Sequence, residues 1–333
     1  MDKVANLPSG QRQELFQATA TNRGLNPAIV EKDFWVCWVL KRLFADSHLK
    51  TRLVFKGGTS LSKVFGLIDR FSEDIDIVLD WRLFGYGSGQ RDPFQDFSST
   101  TQRVRFNQEV NDNAARYIAD TLIGDLNGLF AGCGGVKASI DPVERQTVNI
   151  GYPAAFSEAY LRPEVRLEIG PLASWVPSHP HVIRSYAAEE FPKVFTAPDC
   201  PVIAIDAERT FWEKATILHQ QAHRTNEMPS RYSRHYYDMF RLARSAIRSS
   251  ALGDRKLLDD VVAFKQRFYP CAWARYDAAS PGTFRLVPDE ARLNELRGDY
   301  RDMQQMIFGA APSFDDIIAT LKQLEEEINA RKW

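Results

Sequence analysis

Cysteine is scarce: Cys37, Cys133, Cys200 and Cys271 are the only four in 333 residues, far apart and sharing no CxxC or CxH spacing. That pattern excludes a zinc knuckle and a secreted disulfide framework, and it leaves reduced thiols as the reading. An excess of charge is also missing. The 42 Lys and Arg stand against 43 Asp and Glu, a formal charge of -1, so a globally basic nucleic-acid binder is excluded while local basic faces are not. No apolar run approaches the length of a membrane span, and the opening MDKVANLPSGQRQELF lacks the basic region and apolar run of a signal peptide. A cytoplasmic protein without a membrane partner is expected. Internal repeats and low-complexity tracts are absent too. The 44% hydrophobic and 26% charged residues give a globular chain long enough for two domains, or for one domain with an elaboration.

Apolar spacing predicts helices over 8–22 and 27–46, the second opened by Asn26-Pro27 and buried on much of its circumference. Leu53-Val54-Phe55 reads as a short strand, followed by glycines and a short helix over 61–65. Ile75, Ile77 and Leu79 alternate with Asp76, Val78 and Asp80, the period of a strand with one apolar face. Residues 82–100 read as a loop, 101–130 as a long helix, and 136–141, 146–152 and 165–169 as strands. A Pro-rich stretch over 171–201 precedes an almost wholly helical remainder, with helices over 205–224, 233–249, 255–269, 289–308 and 313–331. The expected boundary therefore lies near residue 200, dividing residues 1–200 from a helical part, 201–333.

The stretch FKGGTSLSKVFGLIDRFSEDIDIVLDW, residues 55–81, concentrates the chemistry. A glycine pair directly after a strand lets backbone N–H groups approach an anion unobstructed, and a helix starting there adds its positive end. Thr59 and Ser60 offer hydroxyls; Lys56 or Lys63 offers charge. The Walker pattern GxxxxGK[ST] is missing, so this is another kind of phosphate turn. Asp74 and Asp76, at i and i+2 on a strand, point the same way. Two carboxylates so close repel one another unless a cation holds them, and hard oxygen donors suit Mg²⁺ or Mn²⁺ with substrate phosphates completing the shell. A GG turn or a DxD alone is commonplace. Together in one strand–turn–helix–strand unit, with 15 residues between Gly58 and Asp74, they point to phosphoryl or nucleotidyl transfer.

The order GG[TS], about a dozen residues, then DhD resembles the polymerase-beta-type nucleotidyltransferase superfamily, and the fuller string resembles the AbiEii/AbiGii toxins, which include the mycobacterial MenT toxins. IVEKDFWVCWVLKRLF (29–44), ERTFWEKATILHQQA (208–222) and SRHYYDMFRLAR (233–244) extend that resemblance in order; beyond residue 250 nothing is recognised. The resemblance implies an α+β fold, a polymerase-beta-like domain with a mixed sheet flanked by helices and then a helical C-terminal domain. It implies that Gly57, Gly58, Thr59 and Ser60 bind the triphosphate of an NTP, to which Lys63 would add its charge, and that Asp74 and Asp76 hold the catalytic metals. Ser72 resembles a family serine or threonine beside the metal site that a partner antitoxin phosphorylates in some members. The superfamily usually carries a third carboxylate, ligand or general base; the candidate is Glu168 in RPEVRLEIG, with Glu164 as its competitor and an exposed Glu-Arg strand face as the alternative. Lys214 matches a helix lysine that contacts nucleotide phosphate, and Asp238 matches an aspartate taken to support that lysine, so the helical part is expected to contribute both to the nucleotide site; the alternative is a plain structural salt bridge between helices.

His219 and His223, spaced i and i+4, lack the glutamate of HExxH and read as a half-solvated helix face, not a zinc site. His179 and His181 are placed in a loop and given no role. The expected reaction is metal-dependent transfer of a nucleoside monophosphate from an NTP to an acceptor hydroxyl. In the resembling toxins the acceptor is commonly the 3′ end of tRNA, and a cognate antitoxin accompanies the enzyme. Two alternatives stand beside it: the same transfer onto a protein side chain or an antibiotic-like small molecule, and a nucleotide- or partner-binding module without turnover. Preferred base and oligomeric state have no sequence signal.

Overall fold

Asn26 accepts a hydrogen bond from the Ala28 backbone N–H (2.8 Å) and Pro27 takes the first helical position, so the helix Pro27–Lys41 begins where the sequence marks it. In the computed structural model, which describes residues 1–72, 74–87, 91–157 and 161–332, this helix is buried on all sides through Leu40. Trp35 and Trp38 are fully enclosed, Trp35 stacking on Tyr152 with ring centroids 5.2 Å apart. Burying side chains of this size contributes about 2–3 kcal/mol each.

Three of its charged residues also face inward, as anchors. Glu31 accepts from the backbone N–H groups of Ala155 and Phe156, and burial pushes its carboxyl above the ordinary range. Lys32 donates to the carbonyls of Arg162 and Glu164. Asp33 accepts from the Tyr186 N–H (2.7 Å) and pairs with Lys63 (2.7 Å).

The chain forms two units. The first comprises Met1–Val64, Ser72–Gln95 and Arg105–Ile205; the second comprises Phe65–Phe71, Asp96–Val104 and the chain from Asp206 onward. The first is built on a seven-stranded mixed sheet of β1 (Leu53–Lys56), β2 (Asp74–Leu79), β3 (Lys137–Ile140), β4 (Thr147–Gly151), β5 (Glu164–Gly170), β6 (Ser178–Ile183) and β7 (Cys200–Ile205). Their order is β3-β4-β5-β2-β1-β7-β6, with β2–β5 and β1–β7 parallel and the other pairs antiparallel. Ile75, Ile77 and Leu79 of β2 and Val165, Leu167 and Ile169 of β5 enter the core together with the Pro27–Lys41 helix. Strand alternation therefore sends Asp74, Asp76, Arg166 and Glu168 to the opposite face.

The α+β class expected from the sequence is present. Two strands were not expected: β6 lies in the Pro-rich stretch, and β7 begins at its end and runs on to Ile205. Pro180 sits in β6, at the sheet's edge, where a missing donor N–H is tolerated. His179 and His181 accordingly belong to this edge strand and not to a loop. The helix expected over 101–130 is interrupted, running Thr100–Tyr117, then a π-helical turn over Ile118–Leu122, then Ile123–Phe130. The expected 82–100 loop partly lies outside the described residues, and its start is the 3₁₀ turn Trp81–Phe84. All four cysteines are free, and among the described residues no helix is long and apolar enough to cross a membrane.

From Asp206 onward the second unit is helical, with Ala207–Ala222, Ser233–Ala243, Ile247–Gly253, Arg255–Phe268, Glu290–Met303 and Phe314–Ala330. The segment Phe65–Phe71 joins it through backbone bonds from Phe71 N–H to the Met306 carbonyl and from Phe308 N–H to the Asp69 carbonyl, each 2.7 Å. His219 is fully buried, donating from Nε2 to the Arg275 carbonyl (2.9 Å) and accepting at Nδ1 from the Arg285 N–H (3.0 Å). With both ring nitrogens engaged, it has no lone pair for a metal, and the half-solvated face expected for it is instead buried, its ring enclosed by the Arg275 and Arg285 backbone.

A pH prediction arises here. Burial, above all, holds His219 down to about 4, against an ordinary value near 6.5. Above pH 6.5 the ring is neutral folded and unfolded. Between about 6.5 and 4 the unfolded chain takes up a proton that the fold refuses, so stability falls as the solution is acidified, by about 2–3 kcal/mol across the window. Burial holds His223 and His235 down as well and adds slope of the same sign. Urea midpoints measured from pH 7 to 4 should fall less steeply in His219→Gln than in the parent.

Candidate active site

The site in the first unit begins where β1 ends. Gly57 has φ +81°, a left-handed conformation that glycine alone adopts without strain, and a Cβ placed on it would lie 1.8 Å from Oδ2 of Asp76. The Asp76 carboxylate thus rests directly against the glycine turn. That contact requires both residues: the glycine for space and backbone angle, the aspartate for what fills the space.

Cross-strand pairing extends the site over the sheet. Lys56 of β1, Asp76 of β2, Glu168 of β5 and Thr147 of β4 form one row; Asp74, Arg166, Asn149 and Ser139, of β2, β5, β4 and β3, form the next. Neighbouring strands are about 4.8 Å apart, so each row brings its side chains within reach of one another. Glu168 stands directly beside Asp76, whereas Glu164 pairs with Gly151 four positions earlier. Arg166 lies among acids: Asp74 at 3.9 Å, Asp141 at 3.8 Å and Glu168 at 3.7 Å. Asp141 is held down to about 2, first by the N–H groups of Glu144 and Val143 and then by the Asn149 amide, so it is anionic at any working pH.

Other expected residues are placed differently. The Thr59 hydroxyl turns inward, within hydrogen-bonding distance of the Asp74 carbonyl (2.5 Å) and of Ser72 Oγ (2.9 Å), tying the turn to the start of β2. Ser60 is fully buried and donates to the Gly57 carbonyl (2.9 Å). What these two residues offer an anion is backbone N–H, since the first N–H groups of a helix have no partner within it. Lys63 has another task. Its ammonium is buried on Asp33 and lies 4.0 Å from the centre of the Tyr186 ring. Burial alone would lower its pKa, but the Asp33 charge outweighs burial and raises it above the ordinary lysine range. Of the two lysines weighed for the phosphate turn, Lys56 is the one on the polar face.

Asp74 and Asp76 supply two oxygen-donor side chains two positions apart, beside a glycine that leaves the space open, and this set fits a small hard cation. Among the described residues no three His, Cys, Asp or Glu side chains converge into a ready-made cage. Mg²⁺ is commonly held by only one or two carboxylates, with substrate phosphates and water as its other ligands.

In the second unit, Asp238 is fully buried and receives both Arg70 Nε (2.7 Å) and a terminal nitrogen of Arg70 (2.8 Å), together with Lys214 Nζ (2.8 Å). Burial alone would raise its pKa, but the two cations more than offset this and hold the carboxyl below the ordinary range. The expected pairing of Lys214 with Asp238 is therefore present. Arg70 is the member that sequence reading missed: its partner is 168 positions away, and no spacing signals it.

A family pattern described as "Nucleotidyl transferase AbiEii toxin, Type IV TA system" matches residues 38–320. No curated protein sequence matches. Among solved structures, the chain is similar to MenT4, a nucleotidyltransferase toxin from Mycobacterium tuberculosis H37Rv, at 17% identity and TM-score 0.49, covering 96% of this chain and 90% of that one. It is also similar to JHP933 from Helicobacter pylori, at 14% identity and TM-score 0.42, covering 89% and 91%. Neither likeness is close enough to carry an argument about residues or chemistry.

Proposed function

The chain belongs to the AbiEii nucleotidyltransferase toxins of type IV toxin–antitoxin systems, and we propose that it transfers a nucleoside monophosphate from an NTP to the 3′-terminal hydroxyl of tRNA. The observation that carries this reading is the Gly57–Asp76 contact, which joins the phosphate turn to the acidic strand in one piece of structure. The acceptor oxygen attacks the α-phosphorus, the bond from that phosphorus to its bridging oxygen breaks, and pyrophosphate leaves. The hydroxyl proton passes to the Glu168 carboxylate, which stands beside Asp76 and is 43% exposed, open to an incoming acceptor.

Asp74 and Asp76 would hold Mg²⁺ or Mn²⁺, which when bound neutralises charge developing on the phosphates. The N–H groups from Gly57 to Ser60 receive phosphate oxygens, and Lys56 adds a positive charge in the same row as Asp76. For Lys214 and Asp238, paired in the second unit, the roles remain those the resemblance implies. A cognate antitoxin follows from the family.

Incubation with each α-labelled NTP and Mg²⁺, with either total RNA or lysate protein as acceptor, tests the proposal. Label at RNA 3′ ends, lost on treatment that removes the terminal nucleotide, is the expected result. Label confined to protein would replace tRNA by a side-chain hydroxyl as acceptor, and no label in either would favour a binding module.

A further inference from the structure

Arg166 takes no part in the reaction above, yet it sits at the centre of the polar face. Its guanidinium is drawn by three carboxylates from three parts of the chain: Asp74 on β2 at 3.9 Å, Glu168 on β5 at 3.7 Å, and Asp141 after β3 at 3.8 Å. Every distance is within ion-pair range and beyond hydrogen-bond range. Nε is buried and has no hydrogen-bond partner. Arginine normally grips a carboxylate with a two-pronged fork at hydrogen-bonding distance, as Arg70 grips Asp238 here. Arg166 is attracted by all three acids and captured by none.

Its neighbours divide into two kinds. Asp74 and Glu168 flank Asp76 and share a face with it, so their charges would repel strongly without a cation among them. Asp141 differs, because its oxygens already accept from Val143, Glu144 and Asn149, which fixes it as a permanent anion at the side of the site.

We propose that Arg166 is the built-in counter-cation of the Asp74–Asp76–Glu168 cluster, standing in electrostatically for the divalent ion and withdrawing toward Asp141 when that ion arrives with its nucleotide. The protein alone is then a poor metal binder, and the nucleotide's own phosphate ligands tip the exchange. This rests on the proposed function only in taking Asp74 and Asp76 as the ion-holding pair.

Mn²⁺ binding to the full-length, nucleotide-free protein, followed by electron paramagnetic resonance, tests it without any reading of transfer. Arg166→Gln should bind Mn²⁺ at least about tenfold more tightly than the parent, because one positive charge has left the cluster. Arg166→Lys, which keeps the charge but loses the fork, should fall between the two and serves alone if the glutamine variant does not fold. Equal or weaker Mn²⁺ binding in the variant that folds overturns the proposal. Asp76→Asn separates the two ideas. If it abolishes Mn²⁺ binding while the Arg166 variants match the parent, only the counter-cation role is lost; if it leaves binding intact, the metal-holding role of the carboxylates fails.

Discussion

Asp76→Asn is expected to lower nucleotidyl transfer on the order of 10³-fold or more, while the protein remains folded. The asparagine keeps the shape of the side chain that lies against Gly57, so packing at the turn is preserved. What changes is a full negative charge at the point where phosphate and cation meet. A substitution of equal size at a half-buried position of β2 should change stability by less than about 1 kcal/mol. The check is a paired measurement of labelled-NMP incorporation and melting temperature, with growth arrest on expression as a third readout. Retention of a tenth or more of the parental rate would remove Asp76 from the chemistry. Persistent growth arrest without transfer would move the toxicity to a binding function.

Gly57→Ala should be nearly as damaging, for a steric reason. The new methyl group would lie 1.8 Å from Asp76 Oδ2, so the carboxylate must leave its place, and at φ +81° the alanine also carries about 1–2 kcal/mol of backbone strain. A fall in transfer of about 100-fold or more is expected. Gly24→Ala separates the two causes. Gly24 caps the helix Ser9–Arg23 with a similar φ, +64°, but a Cβ there meets nothing within 4 Å. It should lose comparable stability and no activity; equal losses of transfer in both variants would reduce the Gly57 effect to general destabilisation.

How much of this could be read from the chain depended on sequence distance. Gly57 and Asp76 are close in sequence, and the alternation of β2 fixes which side chains share a face, so their association was legible. Alternation in β5 likewise set Glu168 and Arg166 on one face, but only the pairing of β2 with β5 shows Glu168 next to Asp76 and leaves Glu164 behind. The direction of Lys63 was not legible. A short helix does not announce which side is covered, and the acid that captures Lys63 lies on an earlier helix buried all round. Strand β6 was hidden by Pro180, which breaks the strand signal in sequence but is harmless at an edge. Strand β7, CPVIAI, begins with Cys200-Pro201 and lacks polar alternation, as befits a strand enclosed between β1 and β6.

The crowding at Gly57 also bears on inheritance. Every missense change in a glycine codon introduces a side chain, and at this position every side chain begins with the carbon that collides with Asp76. A host carrying the gene therefore has in that single codon a broad set of disarming mutations, any missense change at its first or second base, none of which requires the polypeptide to be lost. Selection for survivors of unrestrained expression should return to this triplet repeatedly.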